Sequence, residues 1–283
     1  MRDLSSPLGI IAGGGTLPGL IAAAAQASGQ AVFVVALEGF ADPSVFEGFP
    51  HLVVRLGAVG TAIAALRSQN CRHVVLAGPV KRPSLLELRP DAMGTKLLAR
   101  IGRAVFAGDD GLLGAVIRIL GEEGFIVLGP HEVLEDAVGT AGALTATQPD
   151  TLARADIARA VAVLHALGHA DVGQACVVQQ GLVLAVEAIE GTDAMLERAG
   201  LLRRSGEGGV LVKLVKPEQD RRADLPTLGA VSVLRAADAG LRGIAFEAGG
   251  TILVDKAAMI AAANSAGMFL YGIDPTVLEF QQG

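Results

Sequence analysis

The sequence contains no tryptophan, and aromatic residues make up only 4% of its 283 residues. Proteins that bind nucleic acids present a basic surface, and those that bind single strands stack bases on aromatic side chains. This chain has few aromatic side chains and a formal net charge of −6. Both features argue against a nucleic acid as its partner.

Long apolar runs are missing as well. Hydrophobic residues make up 51% of the chain, yet no uninterrupted apolar stretch reaches the about 18 residues that a membrane-spanning helix needs. Met1-Arg2-Asp3 does not lead into the apolar core and cleavage site of a secretory signal. We therefore expect a cytoplasmic protein.

Cysteine is scarce, and several catalytic motifs are absent. Cys71 and Cys176 lie in different halves of the chain without Cys-x-x-Cys spacing, which excludes a disulfide framework and fits a reducing compartment. The sequence has no Gly-x-Ser-x-Gly elbow and no His-Glu-x-x-His motif. We interpret His165 and His169, four residues apart, as cations near a helix C-terminus and not as zinc ligands.

What the sequence does contain is an alternation of short apolar strands and helices over its first 130 or so residues. Strands are predicted at 8–12, 31–37, 52–56, 73–77 and 125–128, with helices at 17–28, 60–69, 91–101 and 108–123. Strands of this kind, separated by helices, form a parallel sheet that is covered on both faces. We therefore predict an α/β, Rossmann-like domain that binds ligands beyond the carboxyl ends of its strands.

A change of composition divides the chain. Residues 138–149 are small and uncharged, which predicts a linker between a first domain at 1–137 and a second at 150–283. Asp150 can cap a helix that runs to about residue 167. Strands at 175–178, 182–187, 210–215, 252–254 and 269–273 then alternate with helices near 192–199, 227–238 and 255–266. The second domain is therefore also predicted to be α/β.

A glycine-rich loop follows the first strand and opens the first helix. Backbone N–H groups at a helix N-terminus favour phosphate, so Gly14, Gly15, Thr16 and Leu17 are predicted to bind a phosphate or nucleotide. Pro18 replaces the third glycine of a dinucleotide fingerprint, but Glu38 resembles the acid that reads the ribose of NAD. A NAD site and a purely structural turn therefore remain as alternatives.

Two further loops carry charge. Lys81 and Arg82 follow the fourth strand, and two cations beside a glycine loop suit an anionic ligand, although an ordinary exposed loop would look the same. Asp109 and Asp110 open a helix, where they either cap it or contact a ribose or a metal.

The densest charge lies in the second half of the chain. From Leu211 to Asp224, seven of fourteen residues are charged, whereas the whole chain is 18% charged. Interleaved cations and carboxylates suit a polyphosphate with its divalent metal, and a solvated surface loop is the alternative. Glu187, Glu190 and Asp193 also follow a strongly apolar strand, where they could bind a metal or cap the next helix.

These motifs occur together and in a fixed order. They are LGIIAGGGTLP (8–18), AGPVKRP (77–83), GDDGLL (108–113), DVGQACVVQQGLVLAVEAIEGTDAML (171–196) and KLVKPEQDRRADLPTLG (213–229). Each motif is weak alone, but the ordered set resembles the UDP-2,3-diacylglucosamine pyrophosphatase family of the LpxI type over nearly the whole chain.

The resemblance implies a cytoplasmic, Mg²⁺-dependent (or Mn²⁺-dependent) hydrolase of lipid A biosynthesis. Such an enzyme cleaves UDP-2,3-diacylglucosamine to UMP and 2,3-diacylglucosamine 1-phosphate (lipid X). It also implies a homodimer whose two domains hold the substrate between them, and a catalytic aspartate at Asp224. We expect the first domain to hold the uridine nucleotide and the second to hold the lipid phosphate, with transient contact at the inner-membrane surface.

The residues and the resemblance together define a set of candidates. The catalytic candidates are Asp224, Asp193 and Asp220, and the metal candidates are Asp224, Asp193 and Glu190. The candidates for substrate binding are Gly14, Gly15, Thr16, Leu17, Lys81, Arg82, Asp109, Asp110, Thr192, Lys213, Lys216, Gln219, Arg222 and Thr227. A NAD-dependent oxidoreductase and a non-catalytic nucleotide-sugar-binding module are the alternative functions.

Overall fold

A computed structural model of the chain describes residues 4–80, 89–101, 108–217, 219–222 and 225–276, with the backbone alone at 97–101, 108–110 and 112. The chain divides into two compact units. The first comprises 1–135 together with 220–224, and the second comprises 136–219 and 225–283.

The first unit alternates strands and helices. Its strands are β1 (Leu8–Ala12), β2 (Val32–Leu37), β3 (His51–Val54), β4 (His73–Ala77) and β5 (Ile126–Leu128). Its helices are α1 (Leu17–Ala27), α2 (Val59–Ser68), α3 (Ala92–Ile101) and α4 (Gly108–Glu122).

The five strands form one parallel sheet in the order β3-β2-β1-β4-β5. Both faces are buried, because successive residues of β2 pack into different clusters: Val34 packs with Ile21 of α1, and Val35 packs with Leu66 of α2. The predicted parallel sheet is therefore confirmed. The strand order reverses between β1 and β4, and such a reversal opens a crevice at the carboxyl ends of the strands.

The second unit is also α/β. Its strands are β6 (Gly142–Ala143), β7 (Ala175–Gln179), β8 (Leu182–Val186), β9 (Val210–Lys213), β10 (Thr227–Leu228), β11 (Gly243–Glu247), β12 (Ile252–Leu253) and β13 (Phe269–Ile273). Its helices are α5 (Thr151–Gly168), α6 (Gly191–Leu201), α7 (Ala230–Asp238) and α8 (Lys256–Ser265).

The main sheet of the second unit is mixed, in the order β6-β13-β11-β9-β7-β8. β9, β11 and β13 are mutually parallel, while β7 is antiparallel to both β8 and β9. One face packs on α5 and the other on α6, α7 and α8. Since β8 and β9 both oppose β7, their carboxyl ends lie at the same edge of the sheet, together with that of β11.

Residues 138–149, predicted as a linker, lie within the second unit. Ala143 of β6 pairs with Tyr271 of β13, and Val138 forms a bridge with Ile252. The Thr145 hydroxyl also accepts the backbone N–H of Leu270 at 3.0 Å. These hydrogen bonds tie the segment to the sheet, which its small, uncharged side chains do not reveal.

Strand β11 was not predicted, although it lies between β9 and β13 within the sheet. Its sequence, GIAFE, is a short apolar run, and such a run shows no periodicity that separates a strand from a helix. The strand ends at Glu247, a buried carboxylate.

The structure describes both cysteines and the helices that could be compared with a membrane-spanning segment. Cys71 and Cys176 are free, buried thiols, and burial raises their pKa to about 11 and about 12. Across the described residues, the helices are too short or too polar for any one of them to traverse a lipid bilayer.

Candidate active site

The glycine loop after β1 is joined to the loop after β4. Gly13 donates its N–H to the carbonyl oxygen of Ala77 at 2.8 Å, and Gly14 donates to that of Pro79 at 2.9 Å. A Cβ atom on Gly13 would lie 2.5 Å from the carbonyl oxygen of Gly78, so the two loops touch through bare backbone. Gly14 was predicted to offer its N–H to phosphate, but that N–H is already engaged.

The N–H groups that stay open belong to the next three residues. Gly15 has φ +74, and Thr16 is the N-cap of α1 without a side-chain capping bond. Within the described ranges, the N–H groups of Gly15, Thr16 and Leu17 have no hydrogen-bond acceptor. Three open N–H groups at the positive end of a helix dipole can receive an anion.

Four other candidates of the first unit are only partly covered by the structure. Lys81 and Arg82 lie outside the described residues. Asp109 and Asp110 lie in the first turn of α4, but their side chains are outside the described part. Their predicted roles stay predictions.

The segment 220–222 belongs to the first unit although it follows β9 in the chain. The carbonyl oxygen of Arg221 approaches Gly129, just beyond β5, so closely that a Cβ atom there would lie 2.9 Å from it. The Arg222 guanidinium donates to both carboxylate oxygens of Asp220, at 3.0 and 2.7 Å. Sequence reasoning assigned this segment to the second domain.

The pair with Arg222 changes how Asp220 can act. The hydrogen bonds from Arg222 hold the pKa of the Asp220 carboxyl below its usual value, despite some opposition from burial. A carboxylate of this kind stays ionised near neutral pH and is a weak proton acceptor. Asp224, the predicted catalytic residue, follows two residues later and lies outside the described residues.

In the second unit, polar side chains gather at the carboxyl ends of β8 and β9. Glu187 follows β8, and Lys213 ends β9. Both stand beside Ala175 of β7, since Ala175 pairs with Lys213 and accepts the N–H of Glu187 at 2.8 Å. Lateral neighbours in a sheet point to the same face, so these two side chains emerge together. Both are buried.

Thr192, in the first turn of α6, connects the two. Lys213 Nζ donates to Thr192 Oγ1 at 3.0 Å, and Thr192 Oγ1 in turn donates to Glu187 Oε1. Glu187 Oε2 accepts the backbone N–H of Gln174 at 3.3 Å. Thr192 was predicted to contact substrate, but its only proton is given to Glu187.

An ion pair lies just after β9. Lys216 Nζ pairs with Asp171 Oδ1, and the Lys216 N–H donates to Gln219 Oε1 at 3.2 Å. Gln219 returns its own N–H to the Lys216 carbonyl oxygen at 3.1 Å. Lys216 and Gln219, both predicted to bind substrate, are therefore hydrogen-bonded to each other.

The remaining candidates lie near α6 and β10. Glu190, at the N-cap of α6, pairs with Arg198 at 2.5 Å, and hydrogen bonds from its own backbone N–H and from Arg198 lower its pKa. Asp193 lies in the first turn of the same helix. Thr227 opens β10 and donates its hydroxyl to the carbonyl oxygen of Leu225 at 3.2 Å.

A metal site does not emerge from these residues alone. Among the residues that the structure describes, no three His, Cys, Asp or Glu side chains come together in a way that could hold an ion. The predicted ligand Glu190 is engaged by Arg198, and Asp224 lies outside the described residues. The metal ligands therefore stay predictions.

Sequence reasoning did not single out two buried carboxylates at the carboxyl edge of the second unit's sheet. Glu187 was noted only as one of three nearby acids, and Glu247 was not considered. Glu247 Oε2 accepts the N–H of Val215 at 3.0 Å, which holds the chain just after β9. An acidic residue at the carboxyl end of an apolar run was the available signal in both cases.

The chain is similar to known proteins over almost its full length. The LpxI N-terminal domain matches residues 7–137, and the LpxI C-terminal domain matches residues 140–271. The "UDP-2,3-diacylglucosamine pyrophosphatase LpxI" of Caulobacter vibrioides is 45% identical over 274 residues, which cover 95% of this chain and 98% of that protein.

A solved structure also matches, but too weakly to support an argument. A UDP-glucose-4-epimerase from Stenotrophomonas maltophila, with bound NAD and formylated UDP-arabinopyranose, is 12% identical. The match covers 96% of this chain and 95% of that one, with a TM-score of 0.30. The assignment therefore depends on the two domain matches and on the Caulobacter relative, which agree with the ordered motifs, and by them the chain belongs to the LpxI family.

Proposed function

We propose that the protein hydrolyses the pyrophosphate of UDP-2,3-diacylglucosamine to UMP and 2,3-diacylglucosamine 1-phosphate. The observation that carries this proposal is the 45% identity, over 95% of the chain, to a relative named for that pyrophosphatase activity. Neither a NAD-dependent oxidoreductase nor a non-catalytic binding module has comparable support.

The two units offer separate places for the two ends of such a substrate. In the first unit, the open N–H groups of Gly15, Thr16 and Leu17 can receive the phosphate of UMP. In the second unit, Lys213 supplies a cation at the carboxyl edge of the sheet, suited to the phosphate of the lipid product. We propose this division of binding between the units.

Asp224 is the proposed catalytic residue. Hydrolysis of a phosphoric anhydride requires little covalent chemistry from the protein, since positioning of water and neutralisation of charge do most of the work. A carboxylate at Asp224 would orient the attacking water or accept its proton. Asp220 is less suited to that task, because Arg222 occupies both of its oxygens.

We also propose Mg²⁺ (or Mn²⁺) as the cofactor. Mg²⁺ is commonly held by one or two carboxylates together with substrate phosphates, so a preformed cluster of protein ligands is not required. Asp224 and Asp193 are the proposed protein ligands. The ion would neutralise charge on the pyrophosphate oxygens. A homodimer and transient contact with the inner-membrane surface complete the proposal.

The deciding experiment measures UMP release from UDP-2,3-diacylglucosamine by the purified protein, with Mg²⁺, with Mn²⁺ and with EDTA. We expect release of UMP and lipid X in equal amounts, abolished by EDTA and restored by added metal. UDP binding without turnover under any of these metals would support the binding module instead. Tight NADH binding without UMP release would support the oxidoreductase.

A further inference from the structure

Three side chains at the carboxyl edge of the second unit form one hydrogen-bond chain. It runs from Lys213 Nζ to Thr192 Oγ1 over 3.0 Å, and from Thr192 Oγ1 to Glu187 Oε1. Lys213 is the last residue of β9, Glu187 directly follows β8 on the other side of β7, and Thr192 lies in the first turn of α6. Sheet register and helix placement therefore assemble it from three separate elements.

The chemistry of the three groups fixes the direction of this chain. An ammonium only donates, an ionised carboxylate only accepts, and a hydroxyl has a single proton. Thr192 must therefore give its proton to Glu187 and receive one from Lys213. Glu187 is 8% exposed and Lys213 is 7% exposed, so water contributes little to holding them.

The Lys213 ammonium has more N–H donors than its bond to Thr192 uses. It carries three N–H bonds, and within the described part of the chain only Thr192 accepts one of them. A lysine side chain is flexible and rotates freely about four carbons unless something holds it. Here the bond to Thr192 holds the nitrogen, and among the described residues no other acceptor takes its remaining two N–H donors, which can meet the oxygens of an anion.

We propose that Glu187 and Thr192 are positioning residues that hold the Lys213 ammonium in place for a phosphate group. This inference builds on the proposed pyrophosphatase function and adds two residues that act through Lys213 without touching the substrate. Glu187 orients the Thr192 hydroxyl and balances the ammonium charge, and Thr192 sets the position of the nitrogen. Displacement of a binding group by about 1 Å can cost about 100-fold in rate.

A purely structural role would look different in a mutant cycle. Glu187 and Thr192 also tie the end of β8 to the start of α6, so their loss could weaken the fold without involving Lys213. If they act through Lys213, however, their removal should do no further harm once the ammonium is gone. Non-additivity of this kind identifies residues that work through one another.

The experiment compares Glu187→Gln, Thr192→Val, Thr192→Ser and Lys213→Met with the doubles Glu187→Gln/Lys213→Met and Thr192→Val/Lys213→Met. We expect Glu187→Gln and Thr192→Val to lower kcat/KM by about 10- to 100-fold. Thr192→Ser keeps the hydroxyl, so its kcat/KM should stay within about threefold of the wild-type value. The kcat/KM of each double mutant should equal that of Lys213→Met to within about twofold.

A matched control is Thr145→Val, which removes a buried threonine hydroxyl that, like that of Thr192, makes two hydrogen bonds in the second unit. It should lower Tm and leave kcat/KM unchanged. If instead each double mutant has a kcat/KM below that of Lys213→Met by the same factor as the Glu187 or Thr192 change alone causes, Glu187 and Thr192 do not act through Lys213. The proposal is also overturned if Thr192→Ser loses as much as Thr192→Val.

Calorimetric binding of inorganic pyrophosphate separates this inference from the proposed function. If the wild type does not release UMP, the pyrophosphatase proposal fails, and pyrophosphate affinity then decides the positioning role. About tenfold weaker binding by Glu187→Gln and Thr192→Val, but not by Thr145→Val, supports it. Equal affinity in all variants, or no binding by the wild type, overturns it.

Discussion

Gly14 donates its backbone N–H to the carbonyl oxygen of Pro79 at 2.9 Å, which joins the loop after β1 to the loop after β4. The neighbouring Gly78, at φ +87, lies so close to Gly14 that a Cβ atom there would collide with the Gly14 carbonyl oxygen. The crevice at the switch point of the first sheet is therefore lined by backbone in direct contact. The open N–H groups begin one residue later, at Gly15.

Gly78→Ala tests this contact against Gly29→Ala. Both glycines have a left-handed φ, which costs an alanine about 1–2 kcal/mol, but a Cβ atom at Gly29 meets nothing within 4 Å. We expect Gly78→Ala to lower the free energy of unfolding by about 1–3 kcal/mol more than Gly29→Ala does, which is roughly the cost of overpacking. Urea unfolding of both variants measures the difference. Equal losses would mean that the two loops can separate without cost.

Asp91 should be the strongest single cap in the first unit. Its Oδ2 accepts the N–H of Gly60 at 2.9 Å, at the start of α2, and its Oδ1 accepts that of Gly94 at 2.6 Å, at the start of α3. Each helix cap contributes about 0.5–2 kcal/mol. Asp91→Ala should therefore lower Tm more than Asp42→Ala, which removes an exposed cap from one 3-10 helix, Pro43–Phe46. Asp91→Asn keeps one of the two acceptor oxygens, so its Tm should lie between those of Asp91→Ala and Asp42→Ala.

The pKa of Asp220 should depend on Arg222. The hydrogen bonds from Arg222 lower it, so the stability that this pair contributes is present above the unfolded value of about 3.9 and is lost as pH falls through the lowered value. Arg222→Gln should shift the pKa of Asp220 upward, as measured by an NMR titration of its carboxyl carbon. Arg235→Gln, which removes the same charge from the surface pair with Glu197, should not. An unchanged titration in Arg222→Gln would show that the pair does not persist in solution.

Asp224→Ala should abolish most turnover and leave substrate binding nearly intact, because a catalytic carboxylate acts mainly in the transition state. UMP release and equilibrium binding of UDP-2,3-diacylglucosamine measure the two effects separately. Asp238→Ala, an exposed aspartate at the end of α7, serves as the control and should keep full activity. Activity of Asp224→Ala within about tenfold of the wild type, about 1.4 kcal/mol in the barrier, would remove Asp224 from its role.

The placement of β11 and of residues 138–149 shows where local pattern fails. GIAFE is too short for periodicity to assign, and VGTAGALTATQP has the composition of a linker. Yet Ile244 of β11 pairs with Leu211 of β9 and with Leu270 of β13, and Gly142 pairs with Gly272. Hydrogen bonds to strands distant in sequence decide both assignments, and no local window contains them.

The sequence by itself determined the alternation of strands and helices, the glycine loop at the start of α1, and the ordered motifs that the family shares. These features depend on neighbouring residues, because apolar periodicity and backbone conformation are local properties. Only the tertiary structure decided that Gly14 donates its N–H to Pro79 and that segment 220–222 packs beside Gly129. It also decided that Lys213, Thr192 and Glu187 are joined by consecutive hydrogen bonds. Each of those contacts depends on strand order and register, which long-range packing sets and local composition does not.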